Sequence, residues 1–181
     1  MYNARIRRYF RHGTLTQMRV FEAVARPGNF TREFGRAAGA DGLVHVFSDA
    51  LVDDELARRM AAQRMFVTPT LSIMAAFGGA GMGPALTADP RLSPYLSDAQ
   101  RTQLRPGDFD PNSPMAPYLA RFGIVRAIEN VRRLHAAGVR ILAGDDVPNL
   151  AAHGVSMHGE LELLTRAGLT PAEALEAATL A

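Results

Sequence analysis

The sequence predicts an α/β fold with parallel strands, and three observations support this fold class. Short apolar runs alternate with amphipathic segments along the chain, which is the order of strands joined by crossover helices. The chain has 181 residues, of which 48% are hydrophobic, so it can bury one well-packed core. We count about four strand–helix units, which is half of a complete eight-stranded barrel.

Residues 1–30 form a basic N-terminal segment that is set apart from the predicted α/β region at residues 31–181. Residues 1–19 carry five Arg and no acidic residue, which is typical of a solvated tail. A nucleic-acid or anionic-membrane contact is the alternative, and nothing else in the chain supports it. Trp is absent and aromatic residues make up 7% of the chain, which is poor material for stacking on bases. We therefore expect neither nucleic acid nor a membrane among the partners.

Local signals predict three elements between residues 18 and 47. Residues 18–24 (MRVFEAV) are strand-like. Residues 30–38 predict a helix with Thr31 as its N-cap and Gly39 just past its end. Residues 43–47 are a short apolar strand.

The next part of the chain predicts a helix, a strand and a long loop. Residues 53–64 (DDELARRMAAQR) are clearly amphipathic, with acidic residues in the first turn and Arg later, as the helix dipole prefers. Residues 65–71 (MFVTPTL) are strand-like as far as Pro69. A long irregular loop is expected at about 72–113, where Pro and Gly interrupt every pattern except a short helical turn from Asp98. A loop this long in a compact domain is usually a lid or a binding loop, or else disordered.

Three helices and one strand are predicted in the last third of the chain. The final helix begins with a capping box, in which Thr170 is the N-cap, Pro171 the first helical residue and Glu173 the third. Gly138 and Gly168 each stand just past the end of a preceding helix. The helices are expected at 117–137, 157–166 and from 171, and the strand is expected at 139–143.

His45 and Asp146 each stand where a predicted buried strand emerges into a loop. His45 closes the apolar run from Gly42, and Asp146 closes the run from Val139. In a parallel α/β barrel the active-site residues lie at this end of the strands. A histidine and a carboxylate there are suited to sharing a divalent metal or a water nucleophile. The alternatives are a hydrogen-bonded structural histidine and an Asx turn, since Asp-Asp-Val-Pro-Asn is good turn chemistry.

Three segments together resemble the metal-dependent amidohydrolase superfamily, in its imidazolonepropionase-like and prolidase-like branch. They are AGADGLVHVFSD (38–49), FVTPTL (66–71), and GVRILAGDDVPN with HGVSMHGELELLTRAGLTPAEALEAAT (138–149 and 153–179). The last segment is the most specific. The resemblance covers roughly residues 36–181 and implies a partial TIM-like barrel, namely the C-terminal half of an eight-stranded one.

The resemblance also implies a set of site residues. His45 matches the metal-binding histidine of the family's sixth strand. Asp146 matches the aspartate of the eighth strand, which binds metal and takes the proton from the attacking water. Asp145 stands where the family usually has threonine, and His153 and His158 are candidates for substrate contacts or a further ligand. The implied cofactor is a divalent metal, with zinc as the first candidate.

The chain departs from the family's pattern at several ligands. It has no His-x-His, and it has no Lys that could be carboxylated, because all 20 basic residues are Arg. Glu22 stands near the position of the family's fifth-strand histidine. A reduced metal site, or ligands from a partner, would therefore be needed. Glu160 and Glu162 are expected to be surface charges of a helix.

The resemblance implies a hydrolase that cleaves an amide, peptide-like or ester bond of a small molecule with a metal-activated water. The alternative is a non-catalytic fragment or pseudoenzyme that keeps the barrel packing without the full metal site. A half-barrel exposes sheet edges and an open core, so we expect a homo-oligomer or a complementary barrel half as partner. The chain has no Cys and no evident signal peptide, which fits a cytoplasmic protein.

Overall fold

A computed structural model describes residues 41–77, 81–105, 123–147 and 151–179 of the chain. All of them except Asp41 belong to the second of two units into which the chain divides, Gly42–Ala181. The basic segment at 1–30, the strand predicted at 18–24 and the helix predicted at 30–38 lie outside the described residues.

Three short parallel strands form the described sheet. They are β1 (Gly42–Val44), β2 (Phe66–Thr68) and β3 (Arg140–Ile141), and they lie in the order β1-β2-β3. The α/β class with parallel strands is therefore confirmed, although each strand is shorter than predicted. Because sequential strands are neighbours, the chain steps across the described sheet in one direction.

One face of this sheet is buried and the other is open. Leu43, Val67 and Ile141 occupy the same row across the three strands, and each is at most 6% exposed. The next residue of β1, Val44, points to the opposite face and is 57% exposed. One face of the described sheet is therefore fully buried, while the other is partly exposed at Val44, Phe66 and Thr68.

Seven α-helices and one 3₁₀ turn lie within the described residues. The helices predicted at 53–64, at 157–166 and from 171 are confirmed, including the capping box of Thr170 and Glu173. The helix predicted at 117–137 is described only from residue 123 onward. None of the described helices is both long enough and apolar enough to cross a membrane. The helices are α1 (Asp54–Ala62), α2 (Leu71–Phe77), α3 (Gly83–Ala88), α4 (Asp98–Gln103), α5 (Ile124–Ala136), α6 (Val155–Arg166) and α7 (Pro171–Ala177), and the 3₁₀ turn is Ser93–Tyr95.

The region predicted as a long irregular loop at 72–113 is instead largely helical where it is described. Pro84 and Pro94 lie in the first turns of α3 and of the 3₁₀ turn, where the missing N–H of proline costs no hydrogen bond. These two prolines, which suggested a loop, therefore begin helical segments. Leu86 and Leu104 from this region pack with Val155 at the start of α6, so the region is a packed part of the fold.

Candidate functional site

Each described strand is followed by a residue in the left-handed region of backbone conformation. The φ angles are 66° at His45, 53° at Thr70 and 52° at Asp146. This conformation costs a non-glycine residue about 1–2 kcal/mol, and it is rarest for a β-branched residue such as threonine. Backbone strain of this kind clusters at functional sites. A fourth such residue, Arg64 with a φ of 54°, lies between α1 and β2. Two of these four strained residues, His45 and Asp146, are those that the sequence predicted as site residues.

The imidazole of His45 is held by the side chain of Thr70. His45 Nδ1 lies 2.8 Å from Thr70 Oγ1, and that hydroxyl donates its own proton to the carbonyl of Pro69 at 2.7 Å. Because a hydroxyl has one proton to donate, Thr70 Oγ1 accepts the hydrogen bond from His45 Nδ1–H. In the neutral ring the lone pair is therefore on Nε2, which leaves this nitrogen chemically suited to bind a metal or accept a proton.

Two adjacent carboxylates follow β3. Asp145 is buried and Asp146 is partly exposed. Burial raises the pKa of Asp145, the nearby charge of Asp146 raises it further, and His153 opposes the shift. His153 is exposed and lies on the segment that leads into α6. The structure thus brings Asp145, Asp146 and His153 close enough to interact electrostatically.

Gly144 allows this acidic turn to approach the end of β2. A Cβ atom at Gly144 would lie 2.5 Å from Thr68 Cγ2, a distance that real side chains do not adopt. Only glycine fits without displacing the Thr68 methyl group. The position of Asp145 and Asp146 relative to β2 therefore depends on the absence of a side chain at residue 144.

Glu160 is a fully buried carboxylate, and the prediction that it is a surface charge is wrong. It projects from α6 and accepts the amide hydrogens of Leu71 at 3.1 Å and Ser72 at 2.7 Å. Burial raises its pKa to about 7, these hydrogen bonds oppose that shift, and the charge of Asp145 adds to it. Glu162, by contrast, is exposed and pairs with Arg166, as expected of a surface charge.

His158 is exposed on α6, and its described electrostatic contact is with Asp89, the residue that ends α3. The pKa of Asp89 is lowered chiefly by its hydrogen bonds with Arg91, and the charge of His158 adds to that shift. Of the two predicted substrate histidines, the structure places His153 beside the candidate site and associates His158 with α3.

The loop that follows His45 is fixed by α5. Asn130 is fully buried, and its side chain accepts the amide hydrogen of Val52 and donates to the carbonyls of Phe47 and Ala50, all at 2.8 Å. Arg126, one helical turn earlier, donates to two further carbonyls of this loop. His45 is therefore followed by a restrained segment rather than a free loop.

The described residues supply suitable metal donors but do not complete a metal site. Within them, no group of three or more His, Asp or Glu side chains could hold a metal ion. His45 follows β1 and Asp146 follows β3, so their strands are separated by β2 and lie about 10 Å apart. The imidazole nitrogen and the carboxylate have the chemistry of zinc ligands. Further ligands would have to come from outside the described residues.

No protein-family model matches this chain, and no curated protein is significantly similar to it. These comparisons therefore assign the chain to no family.

Proposed function

We propose that the protein is a metal-dependent hydrolase of the amidohydrolase type, acting on an amide, peptide-like or ester bond of a small molecule. The observation that carries the proposal is the hydrogen bond from His45 Nδ1–H to Thr70 Oγ1. Metal-binding histidines almost always donate their second ring N–H to a protein acceptor, which orients the ring and fixes the tautomer. His45 has this arrangement at the carboxyl end of a parallel strand, where barrel enzymes place their active sites.

The architecture of the described sheet supports a partial TIM-like barrel. Its parallel strands follow one another in sequence order, and one face of the sheet is fully buried, which suits an arc of a barrel wall. In such an arc the open face of β1 and β2 is turned toward the barrel interior. A second copy of the chain or a complementary half would then close the barrel.

In the proposed mechanism His45 and Asp146 have different roles. When bound, a divalent metal, with zinc the first candidate, supplies a water nucleophile at neutral pH by lowering that water's pKa to about 7. His45 would hold the metal through Nε2, with its ring kept in place by Thr70. Asp146 would be a further ligand and the general base, which accepts a proton from the attacking water and returns it to the leaving group. His153 would contact the substrate at the edge of the site.

A non-catalytic protein is the second candidate, and one observation favours it. The described residues contain no complete set of three metal ligands. A chain that kept the packing of the barrel and lost part of the metal centre would have this appearance. The two candidates differ in whether the purified protein binds metal at His45 and Asp146.

Metal binding and hydrolysis in matched variants test the proposal. His45→Gly and Asp146→Gly remove each side chain and suit the left-handed backbone at both positions. His135→Ala is the control, because His135 lies on α5 and faces Glu173 at 3.8 Å. We expect stoichiometric zinc and chelator-sensitive hydrolysis of a dipeptide, N-acyl or ester substrate in the wild type and the control, and neither in the two glycine variants. A wild-type protein without metal affinity or hydrolysis would support the non-catalytic alternative.

A further inference from the structure

A hydrogen-bond path connects α6 to His45 through the turn that follows β2. It begins at the buried carboxylate of Glu160, which accepts the amide hydrogens of Leu71 and Ser72 at 3.1 and 2.7 Å. These amides belong to the first turn of α2, directly after Thr70. The path ends where Thr70 Oγ1 accepts the Nδ1–H of His45 at 2.8 Å.

Thr70 requires an anchor because its backbone conformation is unfavourable. It is a β-branched residue with a φ of 53°, and it is only 2% exposed. Such conformations persist only where the surrounding structure determines them. The two bonds to Glu160 have a carboxylate acceptor, which makes them stronger than bonds between neutral groups. They fix the chain immediately after Thr70, and thereby the direction of its hydroxyl.

We propose that Glu160 is a positioning residue for the candidate site: by holding the amides of Leu71 and Ser72, it fixes the Thr70 hydroxyl that selects the Nδ1–H tautomer of His45. The consequence is a lone pair on His45 Nε2 that is directed before any ligand arrives. This inference deepens the proposed function and rests on it, because a fixed Nε2 lone pair is useful to a metal ligand or a base.

A purely structural role for Glu160 predicts a different behaviour. Replacing a buried carboxylate that satisfies two amides leaves at least one of those amides without its acceptor, whatever else the carboxylate does. A purely structural role requires nothing of His45, which follows β1. The tautomer of His45 is therefore the measurement that separates positioning from packing.

The informative variant is Glu160→Gln, with Glu162→Gln as its control. The glutamine keeps the size of the side chain and one carbonyl oxygen, but it sets an NH₂ group against one of the two amides. Glu162 is on the same helix, is exposed and pairs with Arg166. Glu162→Gln is therefore the same chemical change as Glu160→Gln, made at the surface and not in the core. The ring nitrogens of His45 are observed by ¹⁵N NMR in the metal-free full chain at about pH 8, above the ordinary pKa of the free histidine side chain. Zinc affinity is measured by calorimetry.

We expect the Nδ1–H tautomer to dominate in the wild type and in Glu162→Gln. In Glu160→Gln the population should move toward Nε2–H, and zinc affinity should fall about 10- to 100-fold, as for other residues that orient a metal ligand. Hydrogen exchange at the Leu71 and Ser72 amides shows whether the substitution has broken their bonds to residue 160. If exchange there becomes fast while the tautomer of His45 stays unchanged, the proposal is overturned.

Two further outcomes are informative. If Glu160→Gln does not fold, Glu160→Asp is measured instead, because it shortens the reach of the carboxylate by one methylene group. A shifted tautomer of His45 in that variant supports the proposal, and an unchanged tautomer overturns it. A tautomer shift in a protein that binds no zinc in any form would support the positioning role and contradict the proposed hydrolase.

Discussion

His45 and Thr70 are joined by a 2.8 Å hydrogen bond between the ends of two neighbouring strands, 25 residues apart in the sequence. Both have a left-handed backbone, and Thr70 has no role as a ligand in the proposed chemistry. The bond decides which ring nitrogen of His45 carries the proton. In the proposed site, the reactivity of His45 would therefore depend on a residue that orients its ring and is not itself a ligand.

Removal of the Thr70 hydroxyl should weaken metal binding more than it weakens the fold. Thr70→Val keeps the shape of the side chain and leaves His45 Nδ1–H without its acceptor. We expect zinc affinity to fall about 10- to 100-fold, while the free energy of unfolding falls by about 1 kcal/mol. Thr70→Ser retains the hydroxyl and should remain close to the wild type in affinity. Equal zinc affinity in Thr70→Val and the wild type, measured by calorimetry, would contradict the role assigned to Thr70.

The stability of the protein should decrease as the pH rises from about 4.5 to 7 because of Glu160. Its pKa is raised from 4.5 to about 7 in the folded protein, chiefly by burial. Between pH 4.5 and about 7 the carboxyl group of Glu160 keeps its proton in the folded protein and has lost it in the unfolded chain. The stability that this proton contributes is therefore fully present below the unfolded pKa and is lost as the pH rises through the folded pKa. The shift corresponds to at most about 3 kcal/mol. Asp145, whose pKa is also raised by burial, acts in the same direction.

Urea unfolding at about pH 5 and about pH 8 measures this effect. The wild type should be more stable at the lower pH, and Glu160→Gln should lose most of the difference because it removes the titrating group. Glu162→Gln should keep the difference. A wild type that is equally stable at both values would show that the carboxyl group of Glu160 titrates at its ordinary pKa.

Local sequence signals predicted the described helices well where a cap or a periodic pattern marks them. The capping box at Thr170 is an example, because its hydrogen bonds involve residues only three positions apart. The region after β2 was not predicted, because a proline looks the same in sequence whether it interrupts a segment or begins a helix. Pro84 begins a helix. This outcome depends on contacts between residues distant in sequence, such as the packing of Leu86 against Val155.

The candidate site shows the same division. His45 directly follows β1, as the apolar run before it predicted, whereas Asp146 stands five residues beyond the end of β3 at Ile141. Glu160 could have been found, since it falls on the same helical face as Leu163 and Leu164, which are buried with it. The role of Thr70 could not have been found from the sequence. A β-branched residue intrinsically disfavours the left-handed conformation that its surroundings impose on Thr70.

Loss of the Asn130 side chain should destabilise the loop that follows His45. Asn130→Ala removes three hydrogen bonds in a fully buried place and leaves the amide of Val52 and the carbonyl of Phe47 without this partner. We expect the free energy of unfolding to fall by about 2–4 kcal/mol. Arg126→Ala, which removes bonds to the more exposed part of the same loop, should cost about 1 kcal/mol or less. Similar losses in the two variants would contradict the central role of Asn130.

A side chain at residue 144 should separate the ends of β2 and β3. Gly144→Ala places a Cβ atom 2.5 Å from Thr68 Cγ2, so we expect a loss of about 1–3 kcal/mol in unfolding free energy and weaker zinc binding. Gly123→Ala is the control, because its Cβ atom would meet no atom closer than 3.8 Å. The decisive measurement is the double variant Gly144→Ala with Thr68→Ser, which removes the methyl group that clashes. If the clash is the cause, the second substitution recovers stability that the first has lost, and a double variant no more stable than Gly144→Ala shows that the glycine is needed for another reason.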